Sequence, residues 1–130
     1  MEEIENYIWE DVTKLIKNIS FDLVNLPMNK PAYTDPSNDI IFYNESTISI
    51  YSITEEYFHA LLKHQRRYDQ YDFLNPAEHE AHDLALKYLY KEWDKYDLPS
   101  DYLRFTEAMN PPYHLCNKIE DHFTSEIKMV

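Results

Sequence analysis

The complete absence of glycine constrains this chain more than any other feature of its 130 residues. Glycine-rich phosphate loops and the dinucleotide-binding fingerprint bring a ligand so close to the backbone that a Cβ atom obstructs the approach. A chain without glycine can build neither of them. The nucleotide-binding classes that depend on these loops are therefore excluded.

Length and charge narrow the remaining classes. A chain of 130 residues predicts one domain spanning residues 1–130, and 44% hydrophobic residues are enough for a packed core. The 24 acidic and 12 basic residues give a net charge of −12. This excess disfavours direct binding to nucleic acid, because such binding depends on cationic side chains. An acidic surface suits a basic protein partner instead, including the strand channel of a nucleic-acid enzyme.

Cysteine usage and the N-terminal residues predict the compartment. Cys116 is the only cysteine, so no intramolecular disulfide can form, which favours a reducing environment. The segment Met1–Glu5 carries acidic residues where a secretory signal carries basic ones. Stretches without charged residues are far shorter than a membrane span. The sequence therefore predicts a cytoplasmic protein that is neither exported nor embedded in a membrane.

Hydrophobic periodicity predicts an α+β fold that is mainly helical with a small N-terminal β-sheet. Apolar residues three and four apart predict a helix over 4–19. Short strands are predicted over 21–26 and 39–43, with the proline-containing segment 27–36 as an extended loop between them. The stretch 46–53 fits a strand at one end and a helix entry at the other.

The second half of the chain predicts four helices. The first begins near Ile53, and the last begins near Tyr113. Between them, the run Asn75–Glu78 places Asn at an N-cap, Pro at the first helical position and Glu three residues after the cap. Ser100 is predicted to cap the following helix, which ends before Pro111 and Pro112.

Histidine and carboxylate side chains recur four residues apart on two of these helices. Glu55 and His59 share one helix face, and Glu78 and His82 repeat the spacing on the next long helix. Two antiparallel helices that meet through such pairs supply three or four nitrogen and oxygen ligands, as tetrahedral zinc requires. Ordinary surface ion pairs have the same spacing, so the pattern alone leaves both interpretations open.

The sequence says less about the roles of the other histidines. The sequence does not decide whether His79 or His82 faces the predicted metal site. His114 and His122 are predicted to lie at the surface of the last helix.

The segment Ile53–His64 resembles the motif helix of ImmA/IrrE-type metallopeptidases, in which His-Glu-x-x-His follows Phe-Thr or Ile-Thr. The first histidine of the motif is missing, and Glu55 stands in its place. Glu56 stands at the general-base glutamate, and His59 stands at the second histidine.

Three further parts of the chain extend the resemblance. The segment Glu78–Ala85 is similar to the family's Glu-x-x-Ala-Asn/Asp-x-Phe-Ala segment, whose glutamate completes the metal site. Asp39–Asn44 resembles the strand and asparagine that precede the motif helix. Leu103–Leu115 resembles the C-terminal part of small family members from phages and mobile elements of Gram-positive bacteria. The resemblance therefore implies an ImmA/IrrE-like zincin fold over most of the chain.

The resemblance also implies a zinc ion, with Glu55, His59 and Glu78 as ligands and His82 available as a fourth. In such peptidases the metal binds a water that the motif glutamate deprotonates. Glu55 in place of a histidine adds negative charge that weakens the Lewis acid, and His82 as a fourth ligand closes the site. Both changes argue against efficient hydrolysis. A metal-free version of the same fold stays open as well.

The leading hypothesis is a phage or mobile-element inhibitor in the cytoplasm of a bacterial host. Its expected partner is a basic, nucleic-acid-handling host protein. A Cas9-type nuclease with its positively charged channel fits this description, which predicts an anti-CRISPR protein. A transcriptional repressor is the next candidate. The rival hypothesis is an active zinc metallopeptidase that cleaves a repressor, with Glu56 as its catalytic general base.

Overall fold

The structure, a computed structural model, describes residues 3–62 and 76–128, with the backbone alone at 76–78 and 126–128. Over these residues the fold is α+β and mainly helical with a small three-stranded sheet, as the sequence predicts. The elements in chain order are α1 (Glu3–Asn18), β1 (Asp22–Asn25), β2 (Ala32–Asp35), β3 (Ile40–Tyr43), α2 (Ile50–Leu62), α3 (Pro76–Lys95), α4 (Tyr102–Met109) and α5 (Cys116–Lys128), with a single 3₁₀ turn at Tyr113–Leu115.

Helix α1 forms because its apolar residues recur once per turn on one face. Ile8, Val12 and Ile16 are fully buried. Acidic residues lie in the first turn of the helix and Lys17 lies in the last. Each charge is opposite in sign to the partial charge of its helix end and therefore stabilises the helix. The buried face packs on α2, which fixes the position of α2 from one side.

The sheet has the strand order β1-β3-β2, with β1 parallel and β2 antiparallel to β3. The prediction of an extended loop over 27–36 is wrong for Ala32–Asp35, which forms β2. Four residues between two prolines are too few for a visible alternation pattern. The strand is stabilised by pairing with β3, where Thr34 lies opposite Ile41, and by burial of Ala32 and Thr34.

Helix α2 is the central element of the fold. Eight of its 13 residues are buried, and it contacts α1, the sheet, α3 and α4. The ambiguous stretch 46–53 divides at Ser49, whose hydroxyl accepts a hydrogen bond from the Ser52 backbone N–H at 3.1 Å. This side-chain cap satisfies a free donor of the first turn, so the helix begins at Ile50.

Four residues of the described chain have a positive φ without being glycine. They are Ser20, Asp39, Asp97 and Asn110, with φ between 50° and 64°. Three of them follow the C-terminal ends of α1, α3 and α4, where a left-handed residue commonly ends a helix. Asn and Asp tolerate this conformation better than most residues, so the chain makes its sharp turns without glycine.

The cap of α4 differs from the predicted one. Asp101, not Ser100, is the N-cap, because its backbone is extended and its carboxylate accepts a hydrogen bond from the Leu103 N–H at 3.0 Å. The N-cap of α4 therefore lies one residue later than predicted. As predicted, α4 ends before Pro111 and Pro112.

The helices of the C-terminal half enclose an aromatic core. The Phe105 ring is fully buried, and its centroid lies 5.3 Å from those of Tyr90, Trp93 and Phe123. The Trp93 indole N–H donates to the Pro99 carbonyl at 2.8 Å, which ties the α3–α4 connection to this core. Within residues 3–62 and 76–128, no helix combines the length and the apolar character needed to cross a bilayer.

Candidate functional site

Helix α2 brings two of the predicted site residues together at its middle. Glu55 and His59 are four residues apart, and Glu55 Oε1 lies 3.4 Å from His59 Nε2. His59 is 1% exposed, so this imidazole lies inside the protein and not at a helix surface. Because most surface ion pairs are solvated, the depth of His59 separates this pair from the ordinary helical pair that its spacing also allows.

Helix α3 supplies a second imidazole to the same carboxylate. His82 Nε2 lies 3.4 Å from Glu55 Oε2, and His82 is 9% exposed. Glu55 therefore lies between an imidazole of its own helix and an imidazole of the neighbouring helix. Of the two histidines that the sequence left open, it is His82 that lies within ion-pair distance of Glu55.

The electrostatics of this group favour an ionised Glu55. Burial is the largest influence and raises the pKa of the Glu55 carboxyl, but the hydrogen bonds and charges of His59 and His82 together outweigh it. The net effect holds the pKa of Glu55 well below its ordinary value. Glu55 is thus an anionic oxygen donor with two imidazole nitrogens beside it.

Glu56, the candidate general base, lies in a different environment from Glu55. It is 2% exposed, and its backbone carbonyl accepts a hydrogen bond from the Thr34 hydroxyl at 3.1 Å. The bond fastens α2 to the edge strand β2. A general base must come within hydrogen-bond distance of the water or substrate from which it takes a proton, and burial of Glu56 restricts such access.

Glu78 lies in the first turn of α3, and its side chain falls outside the described residues. Its predicted role as a metal ligand therefore stays a prediction. The predicted cap Asn75 likewise lies outside the described residues, while α3 begins at Pro76 as expected.

His114 joins the site although its sequence position did not suggest it. It is exposed, as predicted, but it lies on the 3₁₀ turn before α5, and its ring centroid is 5.5 Å from that of His82. Partial burial, followed by the nearby His82, lowers the pKa of His114. The two histidines lie 32 positions apart in the sequence, so no helical spacing connects them.

A cleft opens beside these histidines. Its volume is about 320 Å³, and it is lined by His79, His82, Asp83, His114, Leu115 and Lys118. Lys118 of α5 forms an ion pair with Asp83 of α3 at one side of the cleft. Solvent can therefore reach His82 through the cleft.

The donor set agrees with zinc in chemistry and in pairwise spacing. Zinc binds imidazole nitrogen and carboxylate oxygen at about 2.0–2.2 Å, so two donors of one tetrahedral ion lie about 3.3 Å apart. Each imidazole nitrogen named above lies 3.4 Å from an oxygen of Glu55. Within the part of the chain that the structure describes, no group of three or more His, Cys, Asp or Glu side chains is already arranged around one point. The residues fit the ion in pairs, and a common centre requires these side chains to rotate.

Comparison with known proteins yields no match. No family model matches the chain, and neither a curated protein nor a solved structure shows significant similarity to it.

Proposed function

We propose that this protein is a non-catalytic inhibitor from a phage or mobile element. In this proposal it has an ImmA/IrrE-like metallopeptidase fold, and zinc held at Glu55, His59 and His82 supports that fold. It acts by binding a basic nucleic-acid-handling protein, and we favour a Cas9-type nuclease of the bacterial host. The observation that carries the proposal is the pairing of one largely buried carboxylate with two imidazoles from different helices.

The arrangement of elements supports the peptidase-like fold. The helix that carries the degenerate motif packs on an antiparallel edge strand and on the helix that carries the downstream segment. Bound zinc would supply a cross-link between α2 and α3. Such a link stabilises the folded state by the free energy of metal binding, because the unfolded chain does not hold the ligands together.

The burial of the motif residues supports a role without hydrolysis. Glu56 is 2% exposed and His59 is 1% exposed, which leaves little room for a peptide at either group.

The charge distribution supports a basic partner. Four exposed carboxylates lie between the end of α3 and the end of α4, and they define what we call the α3–α4 acidic end: Asp94, Asp97, Asp101 and Glu107. The exposed Leu103 side chain lies on α4 within the same stretch. Acidic groups around an apolar contact are suited to a cationic protein surface, where they accelerate association and select the partner.

Inhibition of DNA cleavage by a guide-loaded Cas9-type nuclease tests the proposal. We expect inhibition to be complete near one equivalent of this protein and to weaken as salt is raised. A variant with Asn at the three aspartates and Gln at Glu107 should inhibit less. The variant retains the α4 cap at Asp101 and the left-handed turn at Asp97, because Asn is well suited to both positions.

A matched control removes four negative charges elsewhere. Asn at Asp22 and Asp39 and Gln at Glu45 and Glu120 change exposed positions on other elements. This control should inhibit like the unmodified protein. Absence of inhibition by the unmodified protein, or inhibition far below one equivalent, would contradict the proposal.

A metallopeptidase that cleaves a transcriptional repressor is the second candidate, favoured by the cleft that reaches His82. The change Glu56→Gln separates the two candidates. Repressor fragments that appear with the unmodified protein and disappear with Glu56→Gln, while zinc content is unchanged, support the peptidase. Unchanged inhibition of the nuclease by Glu56→Gln supports the inhibitor.

A further inference from the structure

The backbone on both sides of His114 is held in place. Pro111 is buried, and Leu115 is 7% exposed, so the residues that flank the 3₁₀ turn are anchored in the protein. The Leu115 N–H donates to the Pro112 carbonyl at 3.0 Å, which closes the turn. His114 is therefore an exposed side chain on a constrained backbone, and its ring faces the cleft beside His82.

The distance between the two imidazole rings is close to that of two ligands on one ion. With a zinc–nitrogen distance of about 2.0–2.1 Å, the ring centroids of two imidazoles on tetrahedral zinc lie about 5.2 Å apart. The centroids of His82 and His114 are 5.5 Å apart. His82 is also the imidazole that approaches Glu55 Oε2.

We propose that His114 is the fourth protein ligand of the centre formed by Glu55, His59 and His82. The inference rests on the proposed function, since it requires that the centre binds zinc. It replaces Glu78, which the family resemblance had suggested as a ligand, with a histidine from the segment before α5. The ion then joins three separate elements, namely α2, α3 and the 3₁₀ turn.

Four protein ligands leave no open coordination position on a tetrahedral zinc ion. A site of this kind is structural, whereas hydrolytic zinc sites keep one position for water. With His114 as a ligand, the proposed centre would hold a metal without activating a water molecule. The nearby His79 serves as the matched control, because it lines the same cleft and is exposed, while the ion pairs of Glu55 are made with His59 and His82.

The test measures Zn²⁺ affinity and the visible absorption of bound Co²⁺ with the full chain, comparing the unmodified protein, His114→Ala and His79→Ala. Loss of an outer-shell partner costs about 10–100-fold in metal affinity, so we expect loss of a direct ligand to cost more than about 100-fold. The absorption of bound Co²⁺ depends on its ligands, and the His114→Ala spectrum should change because water takes the place of an imidazole. His79→Ala should match the unmodified protein in both measurements.

The outcomes separate the two proposals. If the unmodified protein binds no zinc, the zinc centre of the proposed function is wrong and His114 has no ligand role. If the unmodified protein binds one zinc ion and His114→Ala binds it equally well, only the inference about His114 is overturned. Loss of binding in His79→Ala but not in His114→Ala overturns it in favour of His79. Circular dichroism of the metal-free variants establishes that each one is folded, and His114→Gln provides a second variant of similar size.

Discussion

Glu92 offers the sharpest test of the electrostatics of this fold. The side chain lies between α3 and α1 and is 8% exposed as a residue. Burial, followed by the hydrogen bond and charge of Asp11, raises the pKa of Glu92 to about 7. Burial also opposes ionisation of Asp11, but hydrogen bonds from Glu92, Tyr96 and Lys95 keep the pKa of Asp11 below its ordinary value. Near neutral pH, Glu92 therefore carries the proton that the two carboxyl groups share.

The size of the expected stability change follows from the change in proton affinity. A tenfold change in proton affinity corresponds to about 1.4 kcal/mol, so a rise in pKa from 4.5 to about 7 corresponds to about 3 kcal/mol. Between these pH values the folded chain holds a proton that the unfolded chain has released. The contribution of Glu92 to the free energy of unfolding therefore falls as pH rises from 4.5 to about 7, and it becomes constant above that range.

The change Glu92→Gln removes this titration and keeps an amide that can donate to Asp11. We expect the variant to gain about 2–3 kcal/mol of stability relative to the unmodified protein between pH 5 and pH 8. The assay is urea unfolding followed by tryptophan fluorescence, with EDTA present so that no metal contributes. Contributions of all other groups are common to both proteins and cancel in the difference.

The matched control is Glu107→Gln, which removes an exposed charge from α4. Its pH profile shows what the loss of one exposed carboxylate does, and the profile of Glu92→Gln is compared with it. Parallel pH profiles for the unmodified protein and Glu92→Gln would refute the reasoning, because both proteins would then release the same number of protons on unfolding.

Three further substitutions test contacts that stabilise the fold. Thr34→Val removes the hydrogen bond to the Glu56 carbonyl and should lower the free energy of unfolding by about 1 kcal/mol, whereas Thr34→Ser should retain most of it. Asp101→Ala removes the α4 cap and should cost about 1 kcal/mol in thermal or urea unfolding, while Asp101→Asn should stay close to the unmodified protein. Phe105→Ala leaves a cavity among three aromatic rings and should cost about 3–5 kcal/mol; a loss below 1 kcal/mol would show that the core is not packed as described.

The sequence predicted most of the local structure because most elements have a clear periodicity. Helix α1 and strands β1 and β3 appear where apolar spacing placed them. Strand β2 was missed because a four-residue edge strand between prolines has little pattern of its own and depends on its partner strand. The cap of α4 was displaced by one residue because Ser100 and Asp101 are both good capping residues, and backbone geometry selects between them.

The candidate site likewise has one contact that the sequence predicted and others that only the tertiary structure formed. The pairing of Glu55 with His59 follows from one helical turn, so the sequence by itself determined it. His79 and His82 point about 60° apart around α3, and either one matches a local pattern equally well. Only the packing of α3 against α2 decided that His82 reaches Glu55, and only the turn after Pro112 brought His114 beside His82. Contacts within a turn depend on spacing along the chain, whereas contacts between distant segments depend on how buried faces meet, which no local pattern encodes.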